Sequence, residues 1–166
     1  MRSRLLPTSS AALAALVVAL LPAIAGAAPR GDSSSGNVTF SGVRIDWSAR
    51  STNTGLNARG NGRVTFTNND PDATYAGDVT CLRIVGATAT TPAMVSVGVL
   101  VTQAPPGSFV QSLLFFGSDA GKFSSVPDTA TWSTSSAPPP PDGGCPAPFA
   151  GIPVTQGQVV ITNELP

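Results

Sequence analysis

Between positions 56 and 67 the residues fall into two alternating sets. Leu56, Ala58, Gly60, Gly62, Val64 and Phe66 share one parity, and Asn57, Arg59, Asn61, Arg63, Thr65 and Thr67 the other. Side chains of a strand point alternately to its two faces, so a run this long predicts an antiparallel strand with one face in a core and one in water. Gly60 and Gly62 interrupt the apolar set, which predicts a bulge or the close approach of another backbone. Beyond the first 28 positions, no segment sustains an apolar period of 3.6, so an amphipathic helix is not expected.

Shorter strands are expected around 38–47, where the apolar parity reverses at Ser41-Gly42 through a bulge or bend, and over 79–85, 93–102, 108–117, 130–133 and 157–162. Gly86-Ala87 suits a tight hairpin, and Pro105-Pro106-Gly107 a turn with proline first. Leu113-Leu114-Phe115-Phe116 is apolar on both parities, which predicts a central strand buried on both faces. The expected fold is all-β, an antiparallel β-sandwich or small β-barrel of about seven strands closed by one disulfide. Pro138-Pro139-Pro140-Pro141 imposes an extended polyproline conformation, so residues 137–148 read as a stiff surface loop.

The chain starts with an address. Arg2 and Arg4 precede an apolar stretch over 5–21, and Ala23-Ile24-Ala25 and Ala25-Gly26-Ala27 offer the small residues that a signal peptidase reads. A membrane span needs about 20 apolar residues, and Thr8-Ser9-Ser10 and Pro22 confine the uninterrupted run to 11–21. Residues 1–28 are therefore read as a cleavable secretory signal, 29–36 as a flexible mature N-terminus, and 37–166 as a single domain. A chain of about 140 residues is long enough for a real core. The product is expected outside the cell, with no stable membrane anchor.

The whole chain carries nine Lys and Arg against nine Asp and Glu. Loss of Arg2 and Arg4 leaves a small net negative charge, which argues against nucleic acid as a partner. Cys81 and Cys145 are the only cysteines, and in an oxidising compartment two lone cysteines most simply pair. Closing a loop of 64 residues would stabilise the fold by about 4 kcal/mol on the chain-entropy account.

The segment Val79-Thr80-Cys81-Leu82-Arg83-Ile84-Val85-Gly86-Ala87, together with Asp119-Ala120-Gly121, Cys145 and Gly157-Gln158-Val159-Val160-Ile161, resembles a group of uncharacterised secreted bacterial proteins, mostly actinobacterial. These share a Val-x-Cys-Leu-x-Val strand, a Gly-Asn turn, a later Asp-Asn-Gly turn and a Cys before the last strand. Here Gly86-Ala87 and Asp119-Ala120-Gly121 replace the two turns. The resemblance runs over about 66–162 and implies a secreted all-β domain with a disulfide; it carries no activity.

No histidine occurs anywhere, which removes Ser-His-Asp and Cys-His catalysis and histidine-bound zinc. No cofactor is expected. Asn68-Asn69-Asp70-Pro71-Asp72, with Asp78 nearby, is the acidic cluster, and Asp70, Asp72 and Asp78 make a weak calcium candidate. Ala73 stands where an EF-hand loop needs Gly and Val79 where it needs Glu, so a strand-connecting turn is the simpler reading. The only Glu is Glu164, near the end, and a frayed terminus is a poor place for a held catalytic acid. Trp47 shares parity with Val43 and Ile45 and should point inward. Tyr75 and Trp132 are the candidates for ligand contact, since an exposed aromatic can stack on a sugar.

These features favour a non-catalytic binding or structural module at the cell envelope or outside the cell, with a polysaccharide or an envelope protein as its partner. The rivals are a hydrolase of extracellular or wall polysaccharide working through Asp residues, and an inhibitor or adhesion module that presents the proline-rich loop to a protein.

Overall fold

The computed structural model describes residues 31–52, 56–66, 73–121 and 125–163. The proposed signal and the residues Asp70, Asp72, Lys122 and Glu164 lie outside these. Among the described residues nine strands follow in order: β1 (Ser33–Phe40), β2 (Val43–Arg50), β3 (Arg59–Phe66), β4 (Thr74–Val85), β5 (Ala93–Gln103), β6 (Ser112–Asp119), β7 (Thr129–Ser135), β8 (Ile152–Pro153) and β9 (Gln156–Thr162). They make one antiparallel sheet in the order β8-β7-β6-β5-β4-β3-β2-β1-β9, curled into a half-barrel, with no helix among the described residues. A single sheet replaces the sandwich alternative.

Two places account for the strand count being nine instead of seven. The expected 38–47 strand is a hairpin: Ser41 and Gly42 both take positive φ, 49° and 74°, and Phe40 pairs with Val43. Two left-handed residues in succession match the twist of a two-residue hairpin, so the parity switch is a reversal of direction and not a bulge. β8 is the other addition, two residues long, too short to show alternation. A further correction concerns the polar lead-in, because Ser33, Ser34, Ser35 and Gly36 belong to β1, paired with β2 on one side and β9 on the other. Nor is Gly86-Ala87 a tight hairpin. Residues 86–92 form a longer loop in which Thr88 Oγ1 accepts the N–H groups of Thr90 and Thr91, at 3.2 and 3.0 Å.

The inner face of the curl holds the core, including Val38, Ile45, Val64, Leu82, Val97, Leu113 and Phe115, all essentially inaccessible. Trp47 is buried as expected and stacks on Phe115 with ring centroids 5.9 Å apart and planes 17° apart. Its indole N–H donates to Ser34 Oγ at 3.1 Å, so the buried ring leaves no unpaired donor. Two glycines make room for the stack. A Cβ on Gly36 would stand 2.1 Å from the Trp47 ring, and one on Gly62 2.4 Å from the Phe115 ring. The gap expected at Gly62 is thus filled by a side chain from the opposite wall, whereas Gly60 does meet backbone, the carbonyl of Ser48.

Part of the outer face is covered by residues 136–151. A bulge at Thr80, between the pairs Val79↔Val99 and Cys81↔Gly98, turns Cys81 outward while Val79 and Leu82 stay in the core. Cys81 bonds Cys145, and both are buried. Gly98 provides the space, since a Cβ there would lie 2.6 Å from Cys81 Sγ. Prolines have no N–H, so the strap offers carbonyls and the sheet supplies hydroxyls. Ser112 Oγ donates to Ala137 O (2.9 Å), Thr80 Oγ1 to Pro140 O (3.2 Å) and Ser96 Oγ to Pro146 O (2.6 Å). Phe149 closes over Phe116 with ring centroids 4.1 Å apart, and so Leu113-Leu114-Phe115-Phe116 is enclosed from both sides, as its sequence predicts.

Candidate ligand-binding face

The residues singled out in the sequence separate in space. Tyr75 pairs with Val64 across β3 and β4, and Trp132 with Phe115 across β6 and β7, so both belong to the inner face. They converge on Phe66, which meets Tyr75 at 6.4 Å and Trp132 at 5.6 Å, each edge-on at 72°. The three half-buried rings pack against the core as a plug and do not form a flat row. Asp78 is exposed on the outer face of β4, opposite Asn61 of β3. Its calcium partners Asp70 and Asp72 lie outside the described residues. Among the described residues no group of three or more His, Cys, Asp or Glu is placed to hold a metal ion.

Most other described carboxylates are occupied. Asp119 accepts the N–H groups of Gly121 (2.8 Å) and Ile161 (3.0 Å). Asp128 accepts those of Ala120 (3.0 Å) and Val159 (2.8 Å). Asp142 reaches from the strap to accept those of Asn57 and Ala58. Each uses both oxygens to hold main chain that would otherwise lack an acceptor.

Among the described residues, two regions of concave surface stand out. A groove of about 490 Å³ lies between residues 87–93 and 119–121, with Val126 and Ile161 on its wall. Its lining is mainly alanine and threonine, and its carboxylate, Asp119, is already engaged. The second region is the outer face of β1, β2, β3 and the first part of β4, which the described part of the strap leaves open. Two hollows of about 450 and 280 Å³ adjoin there, sharing Asp46 and Asn61. The first is lined also by Arg44 and Arg63, the second by Ser35, Asn37, Ser48 and Gln158. Arg44 grips Asp46 with two parallel bonds, Nε to Oδ2 at 2.9 Å and an Nη to Oδ1 at 3.1 Å. That hydrogen bonding, reinforced by the opposite charge, pushes the Arg44 pKa further up from its ordinary value.

All five described arginines, Arg44, Arg50, Arg59, Arg63 and Arg83, are exposed on the outer face of β2, β3 and β4. Arg50 and Arg59 stand directly opposite one another. The parity of Arg59 and Arg63 was visible in the alternating run, but the register that brings Arg59 to Arg50 was not. No protein-family model, curated protein or solved structure matches the chain.

Proposed function

We propose that the chain is an exported, non-catalytic binding domain of the cell envelope or the cell exterior, and that it binds through the open outer face of β1–β3 and the first part of β4. The observation that carries this reading is the division of labour between the two halves of the outer surface. One half is sealed by the disulfide-held strap, and the other presents amides, hydroxyls and guanidinium groups around two adjoining hollows. Hydrolysis by carboxylates needs a proton donor and a base facing a shared cleft. Asp119, Asp128 and Asp142 are instead engaged as acceptors for main-chain N–H groups, and Asp46 is held by Arg44.

The test is retention of the exported protein on isolated cell envelope, run beside a panel of polysaccharide, peptide and ester substrates. Saturable retention without turnover is expected. Turnover abolished by one Asp→Asn change would replace the binding reading with a hydrolase.

A further inference from the structure

The near-neutral total charge of the chain hides a strong segregation. Five arginines lie on the outer face of three adjacent strands, whose own described outer-face carboxylates are Asp46 and Asp78; the Asp142 carboxylate of the strap reaches the N–H groups of Asn57 and Ala58 at the Arg59 end. Of these arginines only Arg44 makes an ion pair with a described carboxylate. Arg50 and Arg59 are cross-strand partners, and like charges directly opposite on a sheet are destabilising, their Cβ atoms about 5 Å apart. A fold that keeps such a pair exposed, with neither arginine in an ion pair to a described carboxylate, offers a fork for an anion to bridge, since a planar guanidinium engages a carboxylate through two parallel hydrogen bonds.

From Arg44 to Arg50 the strip runs about 20 Å along β2, long enough for a polymer and not only a small ion. Resting on the reading of this face as the binding surface, we infer that its ligand is an acidic polysaccharide, with sugar carboxylates on the Arg50–Arg59 pair and on Arg63. Three features select this class. Ser48 and Asn61, themselves cross-strand partners between the arginine positions, offer the hydroxyl and amide groups that sugar hydroxyls need. No outer-face position of β1–β4 carries an aromatic ring, so bases of a single-stranded nucleic acid would find nothing to stack on. Asp46, in the middle of the strip and opposite Arg63, opposes a closely spaced line of phosphates but tolerates a chain whose anionic groups are spread out.

Affinity electrophoresis of the exported, disulfide-intact protein through gels containing polygalacturonate tests the assignment, with neutral dextran and oligothymidylate as the other arms. Retardation by polygalacturonate alone is expected, weakening with added salt and falling at least about tenfold in Arg50→Gln/Arg59→Gln. These exposed substitutions should leave the melting curve in place, which separates lost binding from lost fold. Mobility unchanged by polygalacturonate, equal retardation of the double variant, or tighter retention by oligothymidylate would overturn the assignment. If envelope retention persists in that case, the binding reading stands without this ligand. Release of new reducing ends from polygalacturonate would instead sink the non-catalytic reading.

Discussion

The Asp128 carboxylate, set just before β7, holds the middle of β9: Oδ2 accepts the Val159 N–H at 2.8 Å while Oδ1 accepts that of Ala120 at 3.0 Å. β9 is the last strand in the sheet order, bonded to β1 on one side only, so its other edge would present unpaired N–H groups. Side-chain carboxylates take the place of a tenth neighbour. Asp119 repeats the arrangement one pleat further along, at Ile161. The two ends of the sheet order are also joined covalently, since only Val154 and Thr155 separate β8 from β9. A free edge treated in this way is a poor template for edge-to-edge association.

Replacing Asp128 by Ala should therefore destabilise the fold by about 1–3 kcal/mol, the cost of leaving partly buried donors without an acceptor. Asp128→Asn keeps an amide oxygen and should cost less. Hydrogen exchange gives the local readout: protection at Val159 should fall more than at Val97 in the middle of β5. Uniform change across the sheet would mean that the carboxylate adds general stability without guarding the seam.

Removing the disulfide tests the strap. The double change Cys81→Ala with Cys145→Ala should lower stability by about 4 kcal/mol through the freed loop. It should also increase exposure of Phe116, from which Phe149 could then lift. Intact mass of the exported wild type, before and after alkylation, should show loss of residues 1–28 and no free thiol. An unchanged denaturation midpoint in the double variant would show that the hydroxyl-to-carbonyl bonds hold the strap without the crosslink.

The sheet was legible wherever the chain alternates under a clear difference between core and water. The run containing Val64 and Arg63, the apolar block at 113–116 and the inward Trp47 all follow from parity, and the pairing of two lone cysteines from chemistry. What escaped were features decided by neighbours. Ser33 to Gly36 have no apolar pattern, yet become strand because β2 and β9 flank them. Gly98 declares nothing until Cys81 is known to be its partner. The arginine face needed register: Arg50 and Arg59 are nine positions apart in sequence, and the pattern does not reveal which residues of the two strands stand opposite one another. Tyr75 and Trp132 stand in the sequence as separate candidates for ligand contact because nothing local shows that Phe66 lies between them.

The glycines under the central stack give the sharpest packing test. At Gly62 a new methyl would fall 2.4 Å from the Phe115 ring and 2.7 Å from Val99, and neither can retreat in a filled core. Gly62→Ala should destabilise by about 1–3 kcal/mol, the usual cost of overpacking. Combining it with Phe115→Leu should cost less than the sum of the two single changes, because the smaller side chain vacates the space. Additive losses would place the strain elsewhere.

The aromatic plug separates a structural from a ligand-contact role for the two rings read as candidates. Trp132 packs edge-on against Phe66, half-buried beside the core, so Trp132→Ala should cost about 2–4 kcal/mol, somewhat less than for a fully buried ring. The Tyr75 hydroxyl has only a long bond, 3.5 Å, from Ser108 Oγ, and Tyr75→Phe should shift stability by less than about 0.5 kcal/mol. Both substitutions are distant in the sheet from the Arg50–Arg59 pair, being on the inner face, so retention on cell envelope at a temperature where each variant stays folded should equal that of the wild type. Retention lost in Tyr75→Phe, with its melting curve unchanged, would move the binding site from the outer face of β1–β4 to the aromatic end of the half-barrel.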